Sequence, residues 1–455
     1  LCSASKNNSS LLFVFNKYIK LSMSYEKLKW CAIQPLTGGM YLGAEKVMGH
    51  PAEFILSYPG LGDYKVDKKT NEISTVSNEY HLMKYLDKVG RRPEYKVFDR
   101  KMFQNDNDLE PTIINSDLWT INKDKDLDFS NMHLVVAVPV CSGLSTVTAC
   151  SQDTKDTRNC NMVWISRYVL NVIKPNIYVF ENAPTFMSKS GDRVRIQLED
   201  IAKNTNYSIC YYRTDTKYHD NCQRRKRTFI VFYKKDYSPQ MGYEHIETNW
   251  KEYLSRIPAD ATQNEPFSFE YINWLNKYFV DYLKEKLGDN WRSEIDYDSY
   301  KYIIEGNRFA EVKDYVKSRE DISNDIKEKC FKALDFMKSK VDNHKGFWHK
   351  MPGLMKETDN VPAIMFSTIQ GCLHPTEDRL FTPRECLHFM GHPHDFELQG
   401  NPNRMYPQIG QNVPVRTAYW IVSEAMKSFN KENDLEEKKT IRFFDNIKQE
   451  EVKYE

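Results

Sequence analysis

The sequence predicts an α/β protein: a mostly parallel, doubly wound sheet interrupted by a mainly helical module. Three observations carry that expectation. Short apolar runs alternate with helix-periodic stretches from Lys29 to about Lys235. From about Asp236 to Asn360 the texture changes to amphipathic segments of mixed charge. The apolar pattern then returns and continues to about Asn430.

The strand-like runs are "KWCAIQPL", "AEFILSY", "HLVVAVPV", "NIYVFENA" and "TFIVFYKK". Each is rich in β-branched or aromatic residues without polar alternation, the pattern of strands buried on both faces. Between them, "MYLGAEKVMG" and "NMVWISRYVLNVIK" repeat apolar residues at helical spacing. Ligands in such sheets bind outside the carboxyl ends of the strands. That places Cys141, in "HLVVAVPVCSGLS", at a site-forming end. In the middle module, "FSFEYINWLNKYFVDYLKEKLG" and "DISNDIKEKCFKALDFMKSKV" read as amphipathic helices, and "YDSYKYIIEGNRFAEVKDYVKSRE" is rich in tyrosine and lysine. "YPQIGQNVPVRTAYWIVSEAMK" reads as a loop leading into an amphipathic helix, and the charged stretch after Asn430 as a solvated helix.

The 455 residues suffice for two or three domains. Lysine plus arginine (64) nearly equals aspartate plus glutamate (63), so any surface for a polyanion must be local. The 40% hydrophobic content excludes wholesale disorder. No apolar run approaches the roughly 20 residues that span a bilayer. The ten cysteines form no CxxC pair, and with no secretory signal they read as reduced thiols of a cytoplasmic protein. "LLFVF", before Met23, is too short for a signal core; residues 1–22 are expected to be a leader outside the fold, with Met23 the natural start.

Taken singly, the polar residues at strand ends have plain explanations. Cys141 suits a buried structural cysteine, Glu181 a helix cap, and "QRRKR" a solvated basic turn. Together they form an ordered set: "VPVCSGLS" with Cys141, "YVFENAPTF" with Glu181 and Asn182, and "DNCQRRKRTFIVF" with Gln223, Arg225 and Arg227. "HPTEDRLFTPRECLHFMGHPHDF" follows with Arg379, Thr382, Arg384 and Glu385, and then "YPQIGQNVP". This series resembles the DNA cytosine-5 methyltransferases. The resemblance implies a class I methyltransferase-like (Rossmann-like) fold with a catalytic domain over 23–235 and an inserted target-recognition domain over 236–360. It further implies a return to the catalytic domain over 361–430 and a charged tail over 431–455.

By that resemblance Cys141 is the nucleophile that adds to C6 of a flipped-out cytosine. Glu181 grips the ring at N3 and N4, and Arg225 and Arg227 supply positive charge and clamp the base and its phosphate. Ser145, Gln223 and Arg384 fall to DNA contact, and double-stranded DNA is the partner of a monomer in a bacterial or phage-infected cell. S-adenosylmethionine is the implied methyl donor, held by Gly38, Gly39, Asp117, Pro139, Leu170 and Asn412. A free thiol is only a few per cent ionised at neutral pH, so the nucleophile needs a favourable setting.

The donor end departs from the family pattern. In "AIQPLTGGMYLG", Gln34 stands where the family has phenylalanine and Leu36 where it has its first glycine. Ser57 stands where an acid for the ribose hydroxyls is expected, and the nearest acid, Asp63, comes late. In the closing loop, Gln411 and Asn412 replace the usual Asn and its small neighbour. Two alternatives follow: the same C6 chemistry with another donor, or a catalytically altered protein that only binds DNA. A further rival is zinc, since Cys372, His374, Cys386, His388, His392 and His394 crowd one segment. Their C-x-H spacing is unusual for a structural site, and the expectation is no metal.

Overall fold

The five apolar runs lie side by side as the five middle-to-flank strands of one nine-stranded sheet. The computed structural model describes residues 25–57, 65–66, 73–75, 78–97, 128–139, 141, 143–144, 159–234, 240–263, 274–291, 308–342, 353–354, 360–364, 372–400, 402–429 and 441–452. The strands are β1 (Lys29–Ile33), β2 (Phe54–Ser57), β3 (Glu94–Val97), β4 (Met132–Ala137), β5 (Ile177–Asn182), β6 (Tyr207–Asp215), β7 (Lys226–Lys234), β8 (Ile441–Asp445) and β9 (Glu450–Val452). Their spatial order is β3–β2–β1–β4–β5–β7–β6–β8–β9. Strand β7 runs antiparallel to both neighbours and β9 antiparallel to β8; the other pairings are parallel. This is the class I methyltransferase arrangement, extended by β8 and β9.

The apolar runs lack polar alternation because both sheet faces are covered. Trp30, Ala32, Leu134, Val136 and Val179 face one layer; Cys31, Ile33, Val135, Ala137, Tyr178 and Phe180 face the other. Burying each large side chain fully is worth about 1.5–3 kcal/mol, which favours apolar residues at successive positions here. Helices α1 (Gly39–Met48), α2 (Asn78–Lys88), α8 (Pro383–Phe389), α9 (Pro402–Gly410) and α10 (Val415–Phe429) contribute to the first layer. Helix α3 (Cys160–Tyr168), its π-helical continuation Val169–Ile173 and α4 (Asp192–Asn204) contribute to the second. Numbering in chain order, α5 (Trp274–Leu287), α6 (Arg308–Ser318) and α7 (Asn324–Asp342) belong to the middle module.

Helices α1 and α10 cross with their backbones nearly touching. A Cβ on Gly43 would lie 2.6 Å from the Ala418 Cβ and 2.6 Å from the Tyr419 nitrogen. The helix expected after "GQNVP" thus closes the domain against the first helix.

The middle module joins the sheet layer more gradually than the sequence texture suggests. Trp250 and Tyr253 are buried in the same core as the strands. Tyr282 donates to Glu311 (3.1 Å) between α5 and α6, and Val312, Val316, Cys330 and Leu334 are buried. Val361 and Pro362 then pair in parallel with Gln223 and Arg224 as the chain returns.

One expectation is corrected. The stretch after Asn430 was expected to be a solvated helix, but its described part forms β8 and β9. Phe443 and Phe444 explain this, since successive residues of a strand point to opposite faces and each ring enters a different core layer. Asp445 pairs with Arg213, and the Asn446 amide donates to Thr214 Oγ1 (2.9 Å) and the Glu244 carbonyl (3.0 Å).

Candidate active site

Strands β1 and β4 are neighbours, but their chains leave toward opposite sides of the sheet. Their carboxyl ends therefore open a crevice of the kind that takes ligands. At its rim the Val138 N–H donates to the Ile33 carbonyl (3.2 Å), Pro139 is buried, and a turn closes from Leu144 N–H to the Cys141 carbonyl (3.0 Å). The Thr185 hydroxyl, beyond β5, donates to the Leu144 carbonyl and braces that turn. Cys31, Cys160, Cys210, Cys222, Cys330 and Cys386 are buried, whereas Cys141 is partly exposed. Of these seven cysteines it is the one that is not fully buried, which sets it apart from the other six. Ser145 and Asp117 lie outside the described residues.

Next to β4, strand β5 brings up Glu181, buried and paired across the sheet with Phe229 of β7. Two residues earlier on β7, Arg227 sets its Nε 2.5 Å from Glu181 Oε1. Burial raises the pKa of the Cys141 thiol, and Glu181 raises it further; Arg227 and Arg225 oppose both. The free site therefore holds a thiol, with the cations that favour thiolate already beside it.

Arg225 is placed differently from a clamp on base or phosphate. Its buried guanidinium donates to the carbonyls of Ile364 (2.5 Å), Gly410 (3.0 Å) and Asn412 (2.8 Å). Burial and the neighbouring Arg227 lower its pKa to about 9, so it stays charged at neutral pH. It contributes field at Cys141 while tying the closing loop to the sheet. Gln223 is likewise buried, its Oε1 accepting from the Ile364 N–H (3.2 Å) and its Nε2 directed at the Phe389 carbonyl (3.4 Å).

At the donor end, the turn after β1 keeps glycine-like backbone without the first glycine. Gln34 has φ +50°, Leu36 φ +54° and Gly38 φ +99°. Holding leucine in the left-handed region costs about 1–2 kcal/mol, so the surrounding packing must impose it. Gly39 is required by space, since a Cβ there would lie 1.7 Å from the Val413 carbonyl oxygen. The Gly39 N–H donates to Asn412 Oδ1 (2.9 Å) at the start of α1.

No acid ends β2, and a buried carboxylate reaches Ser57 from a different element. Ser57 donates its hydroxyl to Glu79 Oε2, and Tyr95 donates to the same oxygen (2.7 Å). Glu79 lies in the first turn of α2, buried, and burial raises its pKa to about 7 against the pull of the Ser57 and Tyr95 bonds. Glu79 Oε1 and Gln34 Oε1 have no hydrogen-bond partner among the described residues. Gln34 donates its own N–H to the Leu56 carbonyl (2.8 Å), beside the end of β2 where Ser57 meets Glu79. The sequence reading missed Glu79 because residues 58–77 separate it from β2; the available signal was an acid opening the next amphipathic helix. Asp63 lies outside the described residues.

Other expected site residues are placed in packing roles. Leu170 is buried on the sheet face opposite α1. Arg384, expected at DNA, is buried with its guanidinium on the Thr262 carbonyl (2.8 Å), Thr262 Oγ1 (3.1 Å), and the carbonyls of Pro393 (3.1 Å) and Phe396 (2.7 Å). Thr382 and Glu385 form a capping box at the start of α8, and Arg379 grips Glu385 through two bonds. Among the described residues no group of three or more His, Cys, Asp or Glu side chains is disposed to hold a metal ion. His388 is directed to the Tyr253 carbonyl (2.8 Å) and His392 to Asn412. No helix among the described residues is long and apolar enough to cross a membrane.

The sequence model of the family described as C-5 cytosine-specific DNA methylase matches residues 96–427. The type II methyltransferase M.DdeI of Desulfomicrobium norvegicum is 22% identical over 333 residues, covering 68% of this chain and 76% of that protein. DNA (cytosine-5)-methyltransferase 3 of Arabidopsis thaliana is 19% identical over 318 residues, covering 62% of this chain. The match takes in 22% of the plant protein's own length. Among solved structures, the Entamoeba histolytica methyltransferase EhMeth aligns over 89% of this chain and 99% of its own at 10% identity, with a TM-score of 0.49. The chain belongs to the C-5 cytosine-specific DNA methylase family.

Proposed function

We propose that this protein methylates C5 of cytosine in double-stranded DNA, acting as a monomer through covalent activation of the base by Cys141. The observation that carries the reading is the partly exposed Cys141 beside the Arg227–Glu181 pair, at the carboxyl ends of β4 and β5. A cytosine must leave the duplex to reach this crevice, at a cost of a few kcal/mol. Residues 236–360 face the duplex as the target-recognition domain, and most of the affinity comes from phosphate contacts and falls with salt.

Cytosine C5 is too weak a nucleophile to react unaided. The Cys141 thiol gives up its proton to solvent and its sulfur bonds to C6, which makes C5 the nucleophilic end of an enamine. A proton taken from solvent and held between Glu181 and N3 passes to N3 as the sulfur adds and returns when the C6–S bond breaks. The second carboxylate oxygen accepts from the exocyclic amino group, and this engagement removes charge that otherwise opposes Cys141 ionisation. Arg227 holds Glu181 and keeps a positive field at the sulfur. After C5 has reacted, its proton passes to water and the C6–S bond breaks, restoring the aromatic ring and the thiolate.

The donor pocket fits a ribose-bearing ligand. Gln34 Oε1 and, in the ionised form of Glu79, its Oε1 are buried acceptors without partners among the described residues, the complement of a vicinal diol's two donors, and buried acceptors without partners are costly. Glu79, Gln34 and the Gly38–Gly39 turn would hold S-adenosylmethionine. When bound, that donor supplies the electrophilic methyl group.

Covalent trapping tests the nucleophile. DNA containing 5-fluorocytosine cannot release its C5 substituent as a proton, so with S-adenosylmethionine it should form an adduct stable to denaturing electrophoresis. Cys141→Ser should form none. Absence of the adduct with the unaltered protein would refute covalent catalysis.

A further inference from the structure

We infer that His392 is a positioning residue for the methyl donor: as a neutral acceptor it orients the Asn412 amide, which in turn holds the donor-binding turn. The inference rests on the donor assignment proposed above. His392 follows α8 directly, after Gly391 in the left-handed region (φ +73°), and its own N–H donates to the Leu387 carbonyl (3.0 Å). This helix ending carries the imidazole into the donor end of the crevice. There Nε2 lies 2.9 Å from Asn412 Nδ2 and 3.1 Å from the Thr37 carbonyl oxygen.

The other end of the amide decides how these contacts are used. Asn412 Oδ1 accepts from the Gly39 N–H (2.9 Å), so Nδ2, with its two hydrogens, is the end that faces His392. A donor facing Nε2 is satisfied only when Nε2 carries no proton; the ring proton then sits on Nδ1, which is buried without a partner among the described residues in either neutral tautomer. The competing arrangement, with Nε2–H donating to Thr37, sets that N–H against the amide hydrogens. It would favour rotation of the amide, which removes the acceptor from Gly39. The imidazole is fully enclosed, and burial pushes its pKa down to about 4, keeping it neutral.

The pair also accounts for a departure in the sequence. Asn412 occupies the position where the family has a small residue, and a longer amide there needs a partner for its second end. His392 supplies it from a different segment. The contacts converge on one strap: Thr37 Oγ1 donates to the Gln408 carbonyl (3.2 Å), Gly39 lies against Val413, and Arg225 holds the Asn412 carbonyl (2.8 Å). The left-handed Leu36 is kept in place by packing of this kind, so loss of the strap should loosen the turn that grips the donor.

Calorimetric binding of S-adenosylhomocysteine to the full chain tests the inference. His392→Phe should weaken binding about tenfold or more, the loss expected when a buried donor loses its acceptor. His392→Gln, which restores an acceptor oxygen, should recover most of it. Nitrogen-15 spectra of the unaltered protein provide a check that needs no variant, and should show His392 Nε2 unprotonated at neutral pH. A protonated Nε2, or His392→Phe binding as tightly as the unaltered protein, would overturn the inference alone. If the unaltered protein binds no S-adenosylhomocysteine, the donor assignment falls and takes the inference with it.

Discussion

At the scale of single residues, the site separates an ion pair gathered at strand ends from groups that hold the frame. Cys141, Glu181 and Arg227 meet at the ends of neighbouring strands, whereas Arg225 and Arg384 turn their guanidinium groups onto backbone carbonyls. Glu79 carries a pH prediction. Its pKa is raised from 4.5 to about 7 in the folded protein, so the folded state holds its proton more tightly than the unfolded chain. The stability this contributes is present below about pH 4.5 and is lost as pH rises toward 7. Glu79→Gln should therefore be more stable than the unaltered protein at pH 8, by up to about 3 kcal/mol, with the advantage vanishing near pH 4.5. Denaturant titrations at the two pH values check this. The nearness of Cys141, Glu181 and Arg227 follows what the resemblance of their sequence blocks implied. Glu79 was not legible, because its contact with Ser57 spans an insertion that leaves no local pattern.

Among the elements, close approach matters more than propensity. Helices α1 and α10 meet at Gly43, where no side chain fits. Gly43→Ala should push them apart and cost about 1–3 kcal/mol, measured as a lowered midpoint of thermal unfolding with the Cys141 turn unchanged. The apolar runs gave β1, β2, β4, β5 and β7, and α10 was legible as an amphipathic helix after a loop. Strands β8 and β9 were hidden because "TIRFFDNIKQEEVKYE" is dominated by charge. Only the sheet edge, which offers each phenylalanine its own core layer, decides between helix and strand there. The placement of Gln223 and Arg384 was equally out of reach, since their partners lie more than a hundred residues away for most of their bonds.

On the scale of the whole molecule, a net charge of +1 supplies no general attraction for DNA. Association must then rest on local surfaces around the crevice and the helical module, and on the chemistry that follows. In the proposed function that chemistry joins two groups of residues: Cys141 with Glu181 and Arg227, and the Gly38–Gly39 turn with Glu79. Arg225 and Asn412 form a physical link between them. The most direct measurement is mass analysis of the nucleosides from DNA incubated with the protein and S-adenosylmethionine. The account predicts 5-methylcytosine with the unaltered protein and none with Cys141→Ser. Unmodified DNA, a product other than 5-methylcytosine, or 5-methylcytosine made equally well by Cys141→Ser would contradict it.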